Sequence, residues 1–243
     1  MLQLARELWR SVRFMSPRDV GLFVRSARTD GAISRMRGQL GTQAIFETIY
    51  RTNEDPWQSA SKRYRYQGWK YDRIVACLPS GRRFRSALDV GCGLGLLSSR
   101  LAPRVDEVLG VDIAQTAVDR ATATFAGCAN LTFQQGNVLD LPRSLDGRFD
   151  LVVIADTLYY LPAPITAEVL ASVAQRVSEL LVPGGICLLA NHYFFSFDPD
   201  SKISRRIHDA FAASPRFRCV ANTWRPFYLV SLLESAENIP PAC

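Results

Sequence analysis

The sequence predicts an α/β fold, a parallel sheet with helices on both faces. Three observations carry that expectation. Strand-like and helix-like patterns alternate from about residue 84; a glycine-rich turn, Gly91-Cys92-Gly93-Leu94-Gly95, directly follows the first strand; and Leu151 to Ala155 is apolar without a break, as a strand covered on both faces must be.

In chain order, Ser86 to Val90 reads as the first strand and Leu94 to Leu101 as a helix stopped by Pro103. Val108 to Val111 is a second strand, followed by a helix whose apolar stripe is Ala117, Val118, Ala121 and Phe125. Leu131 to Phe133 opens a third strand and Leu151 to Ala155 is the fourth. Val169, Leu170, Val173, Val177, Leu180 and Leu181 trace a long helix ended by Pro183-Gly184-Gly185, with a fifth strand at Ile186 to Ala190. Right-handed crossovers then return each helix to the sheet. Phe217 to Ala221 and Phe227 to Leu233, joined by Asn222 to Pro226, read as a hairpin added at one edge.

Residues 1–50 form a helical extension ahead of this unit. Leu4, Leu8, Trp9, Val12 and Met15 share one helical face, and residues 1–40 hold eight Arg against Glu7, Asp19 and Asp30. Packing on the domain with a solvated Arg face accounts for this pattern; a peripheral contact of residues 1–40 with a membrane surface or polyanion is the alternative. Residues 51–83 are expected to supply helices covering a ligand, and 84–243 the core.

Composition excludes several classes. With 243 residues, 48% hydrophobic and 21% charged, the chain is neither disordered nor fibrous, and its longest apolar runs fall far short of the roughly 18 residues a membrane span needs. The N-terminus lacks the apolar core of a secretory signal, so the expected location is cytoplasmic. Six scattered cysteines and two histidines, His192 and His208, give no metal-ligand spacing, and no metal is expected. The net charge of +6 rests on 29 basic residues, of which only Lys62, Lys70 and Lys202 are Lys. They are interspersed with acids, so no nucleic-acid partner is expected.

The chemistry concentrates at the carboxyl ends of the strands, where open α/β sheets bind ligands. Gly91, Gly93 and Gly95 remove side chains where a ligand would touch backbone. Position 96 is Leu, so the dinucleotide spacing Gly-x-Gly-x-x-Gly is not met. Asp89, two residues before the glycines, would repel a pyrophosphate and welcome a cation. Asp112, at the tip of the second strand and followed by Ile113, is placed to accept hydrogen bonds from ribose hydroxyls. Asn137 and Val138 follow the third strand, where a short polar side chain either reads an adenine edge or closes a turn. The fourth strand empties through Ala155 into Asp156, Tyr159 and Tyr160, and His192 lies beyond the fifth.

Together these residues resemble the class I S-adenosylmethionine-dependent methyltransferases, over about residues 84–190: the glycine loop with Asp89, then Asp112, Asn137, Phe149-Asp150-Leu151-Val152-Val153 before Asp156, and Leu181-Val182-Pro183-Gly184-Gly185. The resemblance implies a Rossmann-like doubly wound sheet of seven strands, order 3-2-1-4-5-7-6 with the last antiparallel. It implies S-adenosylmethionine as cofactor and S-adenosylhomocysteine as its product. Upstream, Asn53-Glu54-Asp55-Pro56-Trp57, Tyr66-Gln67, Lys70-Tyr71 and Leu78-Pro79, with Leu158-Tyr159-Tyr160-Leu161 later, are similar to the NodS-like methyltransferases. That likeness implies N-methylation of an amino sugar or glycoconjugate. Trp57, Tyr66, Lys70 and Tyr71 are expected on a helix over the cofactor, with plain packing of that helix on the sheet as the alternative. Asp156, Tyr159, Tyr160 and His192 are the candidates for receiving a proton, His192 foremost for a hydroxyl acceptor; the two tyrosines also read as pocket wall. The expected partner is a small-molecule acceptor, and the chain a monomer or dimer. An O-methyltransferase of a sugar or other metabolite, and a non-catalytic protein of this fold docking through its basic N-terminus, are the competing readings. An NAD-dependent oxidoreductase is disfavoured by Asp89 and Leu96, and RNA methylation by the absence of an Asn-Pro-Pro-Tyr type sequence after the fourth strand.

Overall fold

The structure, a computed structural model, describes residues 6, 9, 17–62, 65–193, 199–225 and 227–236. Three helices come first: α1 (Pro17–Met36), α2 (Thr42–Thr52) and α3 (Arg65–Val75). The sheet then develops through β1 (Phe84–Val90), α4 (Leu96–Leu101), β2 (Val105–Asp112), α5 (Gln115–Thr124), β3 (Leu131–Gln135) and β4 (Phe149–Ala155). It closes with α6 (Ala167–Leu180), β5 (Leu181–Tyr193), α7 (Pro199–Ala213), β6 (Phe217–Arg225) and β7 (Phe227–Ser235). The seven strands lie in the expected order, β3-β2-β1-β4-β5-β7-β6. β1 to β5 pair in parallel, and β7 runs antiparallel to both β5 and β6.

Strand alternation divides the core into two layers. Val152, Ile154, Cys187 and Leu189 face α6 and α7, where Leu170, Val173, Val177, Ile207 and Phe211 cover them. Leu151, Val153, Ile186 and Leu188 face the opposite way, with Ile74 following from α3 and Leu97 and Leu101 from α4. A third cluster joins the extension to the domain: Ile33 of α1 and Ile45, Phe46 and Ile49 of α2 pack with Ala114 and Ala117 at the start of α5. The amphipathic stripe expected over residues 4–15 lies outside the described residues apart from Trp9, which is helical and exposed, like Arg6. Among the described residues no helix is long and apolar enough to cross a membrane.

Several boundaries differ from the sequence expectation. α4 starts at Leu96 because Gly95 is left-handed (φ 73°) and holds residues 91–95 in a loop. β5 begins at Leu181 and extends to Tyr193. Its partner β4 shifts register between Phe149 and Leu151, and Gly184 is left-handed (φ 69°), so the Pro-Gly-Gly stretch bulges within the strand and does not precede it. The segment expected to link β6 and β7 is itself paired: Asn222, Thr223 and Trp224 lie opposite Ser231, Val230 and Leu229. β6 is an edge strand, so polar residues there face solvent without breaking the ladder. Trp57 does not sit on the helix assigned to it but in the loop after α2, while Tyr66, Lys70 and Tyr71 are on α3.

Between α7 and the sheet, His208 is enclosed (1% exposed), with Nδ1 2.7 Å from Ser231 Oγ and Nε2 3.1 Å from Asn191 Oδ1. Burial, and secondarily Arg205, lower its pKa from 6.5 to about 3. The unfolded chain takes up a proton near pH 6.5 that the folded chain refuses down to about pH 3, so this histidine contributes stability above pH 6.5 that is lost as pH falls from there. Thermal unfolding between pH 7.5 and 4.5 is expected to show a steeper loss of Tm for the wild type than for His208→Gln.

Candidate functional site

The loop after β1 opens a cavity of about 540 Å³ at the carboxyl edge of the sheet. Gly91, Cys92, Gly93 and Leu94 line it. Gly91 (φ 72°) donates its N–H to Val111 O at 2.7 Å, which ties the loop to β2. A Cβ on Gly91 would sit 2.3 Å from Thr157 Oγ1, and one on Gly93 (φ 52°) 2.8 Å from the Tyr50 hydroxyl, so both positions combine a left-handed backbone with a close neighbour. Gly95 does not line the cavity; its missing Cβ makes room for Phe133, 2.7 Å from where that atom would lie.

The two acids of this region differ in placement. Asp89 is not part of the cavity wall, which corrects the expectation that its carboxylate meets the ligand. Strand alternation turns it toward α4, where it is buried (1% exposed) and accepts a hydrogen bond from Ser98 Oγ at 2.6 Å. Burial raises its pKa to about 6; the Ser98 bond opposes this and the charge of Asp112 adds to it. Asp112 does line the cavity. Its carboxylate accepts from Gly93 N (2.9 Å) and Ala114 N (3.0 Å), so the end of β2 holds the glycine loop in shape. Burial raises its pKa as well, against those hydrogen bonds. The Ile113 N–H also donates to this carboxylate; a carboxylate has about four lone-pair sites, so acceptor capacity remains for a ligand hydroxyl.

Ile113, Asn137 and Val138 extend the same wall. The Asn137 amide is engaged in its own turn, accepting from Leu139 N (3.2 Å) and donating to Asp140 Oδ2 (2.9 Å). Of the two roles open to it from sequence, turn closure is the one its side chain performs.

Across the cavity, the ends of β4 and β5 meet α3. Asp156 is left-handed (φ 54°), an uncommon conformation outside glycine that Asp tolerates better than most residues. One carboxylate oxygen pairs with the Lys70 ammonium; the other accepts the His192 backbone N–H at 2.8 Å, with His192 Nδ1 3.9 Å away. The Lys70 side chain is 3% exposed. Burial would raise the Asp156 pKa, but Lys70 and then His192 outweigh it and hold the carboxyl below its ordinary value. The His192 ring meets the Tyr159 ring edge-on at 4.6 Å, and Tyr159 lies 4.4 Å from Tyr160. Burial raises both tyrosine pKa values well above 10, so both phenols stay protonated near neutrality. Ala155 and Tyr66 complete this side, and Gln67 Oε1 is buried there without a hydrogen-bond partner among the described residues.

The outer wall comes from α1 and α2. Trp57 packs with Phe46, Tyr50 and Tyr160 at ring separations of 6.1, 5.8 and 5.9 Å. Thr29 donates to Pro56 O (2.6 Å) and Arg37 to Tyr159 O (3.2 Å), fixing α1 to both loops it overhangs. Among the described residues no group of three or more His, Cys, Asp or Glu is arranged to hold a metal.

Comparison with known proteins agrees with this geometry. Residues 87–185 match the family model described as a methyltransferase domain. The match covers less than half of the chain and marks this stretch as similar to that family. The chain is also similar to the ubiquinone biosynthesis O-methyltransferases of Acinetobacter baumannii strain AYE (32% identical over 114 residues, 46% of this chain and 43% of that one) and Alkalilimnicola ehrlichii (33% over 117 residues, 48% and 44%). The similarity thus spans less than half the length of these curated relatives. Among solved structures, the N-methyltransferase NodS from Bradyrhizobium japonicum WM9 in complex with S-adenosyl-L-homocysteine superposes with a TM-score of 0.66 at 18% identity, covering 81% of this chain and 99% of that one. The [4+2]-cyclase SpnF gives a TM-score of 0.59 at 15% identity, covering 72% and 83%. Both likenesses concern the fold.

Residues 87–185 supply the glycine loop, Asp112, Asn137 and the facing stretch from Ala155 to Pro162; the rest of the lining comes from α1, α2, α3 and α7, the turns after α1 and α2, and His192 of β5. Sequence reasoning missed Asp30, Phe46, Tyr50, Gln67 and Thr157 as wall residues. Only Gln67 and Thr157, beside Lys70 and Asp156, had a local signal.

Two outcomes follow from these contacts. Lys70→Met, which leaves the Asp156 carboxylate unpaired, is expected to destabilise the chain by about 3–5 kcal/mol in urea unfolding, part of it regained in Lys70→Met/Asp156→Asn. Gly91→Ala is expected to lose at least ~1–2 kcal/mol through its left-handed backbone alone, with a further loss from the Thr157 collision, read as a fall in Tm.

Proposed function

We propose that this chain transfers a methyl group from S-adenosylmethionine to a small molecule, and that the acceptor is the amine of an amino sugar or glycoconjugate. The observation that carries the cofactor assignment is Asp112, a carboxylate with acceptor capacity left, in a cavity wall shared with the glycine loop and the apolar Leu94, Ile113 and Val138. Asp112 receives the ribose hydroxyls, and the three apolar side chains take the flat face of the base. Gln67 Oε1, a buried acceptor with no partner, suits the ammonium of the methionine end. The bound cofactor supplies a methyl group already activated on a sulfonium.

What remains for the protein is alignment, exclusion of water and removal of one proton. Tyr159 and Tyr160, held as neutral phenols, act as wall and hydrogen-bond donors. Asp156, committed to Lys70 and the His192 backbone, positions the β4 and β5 ends. His192 is thereby the group that takes the proton, directly from a hydroxyl or from an amine after attack. The amine reading is supported by the upstream sequence likeness to NodS-like proteins. O-methylation is the second reading, favoured by the placement of His192 beside Asp156 and by the relatives named as O-methyltransferases.

Calorimetric titration with S-adenosylhomocysteine should show saturable binding to the wild type. Asp112→Ala is expected to weaken it by about 10- to 100-fold, the worth of a hydrogen bond to a charged group. A folded wild type with no affinity for this molecule overturns the proposal. Amino sugars and sugar alcohols incubated with labelled methyl donor, read by mass spectrometry, then separate N- from O-methylation.

A further inference from the structure

Asp30 stands outside the methyltransferase domain, on α1, yet lines the cavity. Its Oδ1 accepts hydrogen bonds from the Tyr160 hydroxyl (2.6 Å) and Trp57 Nε1 (3.2 Å), which fix the carboxylate against the aromatic wall. Oδ2 makes no hydrogen bond among the described residues, and the residue remains open to the cavity. The groups around it are few. Asp200, at the start of α7, lines the same space and adds negative charge; His192 faces it across Tyr159 and Tyr160; Arg37 directs its guanidinium to the Tyr159 carbonyl. Surrounding protein removes water from the carboxyl and raises its pKa, against the Tyr160 and Trp57 bonds. A carboxylate at an aromatic-lined cavity, with one oxygen oriented by two donors and the other without a hydrogen bond among the described residues, is an arrangement that recognises a cation.

We propose that Asp30 is a specificity-determining residue, whose free oxygen binds the acceptor through its protonated amine and so selects a free amine over its acylated form. The assignment rests on the methyl-transfer reading and adds to it which group of the chain docks the acceptor. It gives the N-terminal extension a part in the site: α1, held by Thr29 to Pro56 and by Arg37 to Tyr159, carries the recognition group that the domain itself lacks. Before attack the ammonium releases one proton to solvent and leaves the neutral amine, and after methyl transfer the alkylammonium gives a second proton to His192; Asp30 thus governs acceptor affinity, and the chemical step falls to groups nearer β4 and β5.

The test uses the full chain saturated with S-adenosylhomocysteine and ligand-observed NMR titration with two probes, a glucosamine disaccharide with free amines and its N-acetylated counterpart. The wild type is expected to prefer the free amine by about tenfold or more, a preference that falls with added salt, and Asp30→Asn to abolish it while leaving the acetylated probe unchanged. Unaltered S-adenosylhomocysteine affinity in Asp30→Asn reports an intact fold. Should that variant not fold, Asp30→Ser and the wild type's salt dependence carry the same comparison. A wild type that binds S-adenosylhomocysteine without preferring the amine, or an Asp30→Asn variant that keeps the preference, overturns the assignment. Absence of S-adenosylhomocysteine binding to the wild type refutes the methyl-transfer reading instead.

Discussion

The half of the cavity at the ends of β4 and β5 depends on the buried ion pair between Lys70 and Asp156. Lys70 has no other means of being enclosed on α3: an ammonium withdrawn from water needs a partner charge in reach, and Asp156 provides it from the end of β4. The same carboxylate holds the backbone of His192 at the end of β5. One side chain thus ties a helix that precedes the sheet to two of its central strands. The left-handed backbone at Asp156 turns the chain at that point, and Tyr159 and Tyr160 follow in the next turn of 3₁₀ helix. Without the pair, α3 would lose its anchor over the cavity and the two tyrosines their fixed approach to His192.

The two sides of the cavity are built by different physics. On the β1–β2 side the backbone does most of the work: three left-handed glycines and the hydrogen bonds of Gly91 and Gly93 to β2 shape a loop that leaves main chain exposed. On the opposite side, side chains of α1, α2 and α3 meet as rings and charges. Loops and flanking helices on a rigid parallel sheet are free to vary without disturbing its core. NodS and the cyclase SpnF share this fold under different names for their activities, so the fold by itself does not fix a reaction.

The sheet was largely legible in the sequence because its signals are local. An unbroken apolar run marks a doubly covered strand, glycines mark the turn, and a proline and two glycines mark where α6 gives way. Errors arose where a local signal had two outcomes: Pro183-Gly184-Gly185 bulges inside β5, and the polar residues at 222–224 remain paired because an edge strand keeps one face in water. Asp112, Asp156, Tyr159, Tyr160 and His192, which line the cavity, were legible because each lies at or just beyond a strand end. Asp89 was also found there, but its direction was misjudged, since period-two alternation turns it to α4.

By itself, then, the sequence determined the α/β class and most of the strand-end residues that line the cavity, because strand ends and glycine turns are encoded within a few neighbouring positions. Only the tertiary structure decided which charges meet. Asp30 and Tyr160 are 130 residues apart, and Lys70 and Asp156 are 86 apart. Such pairs are made by the packing of whole helices onto a sheet, where desolvation forces each buried charge to find a partner, and no periodicity along the chain records that choice.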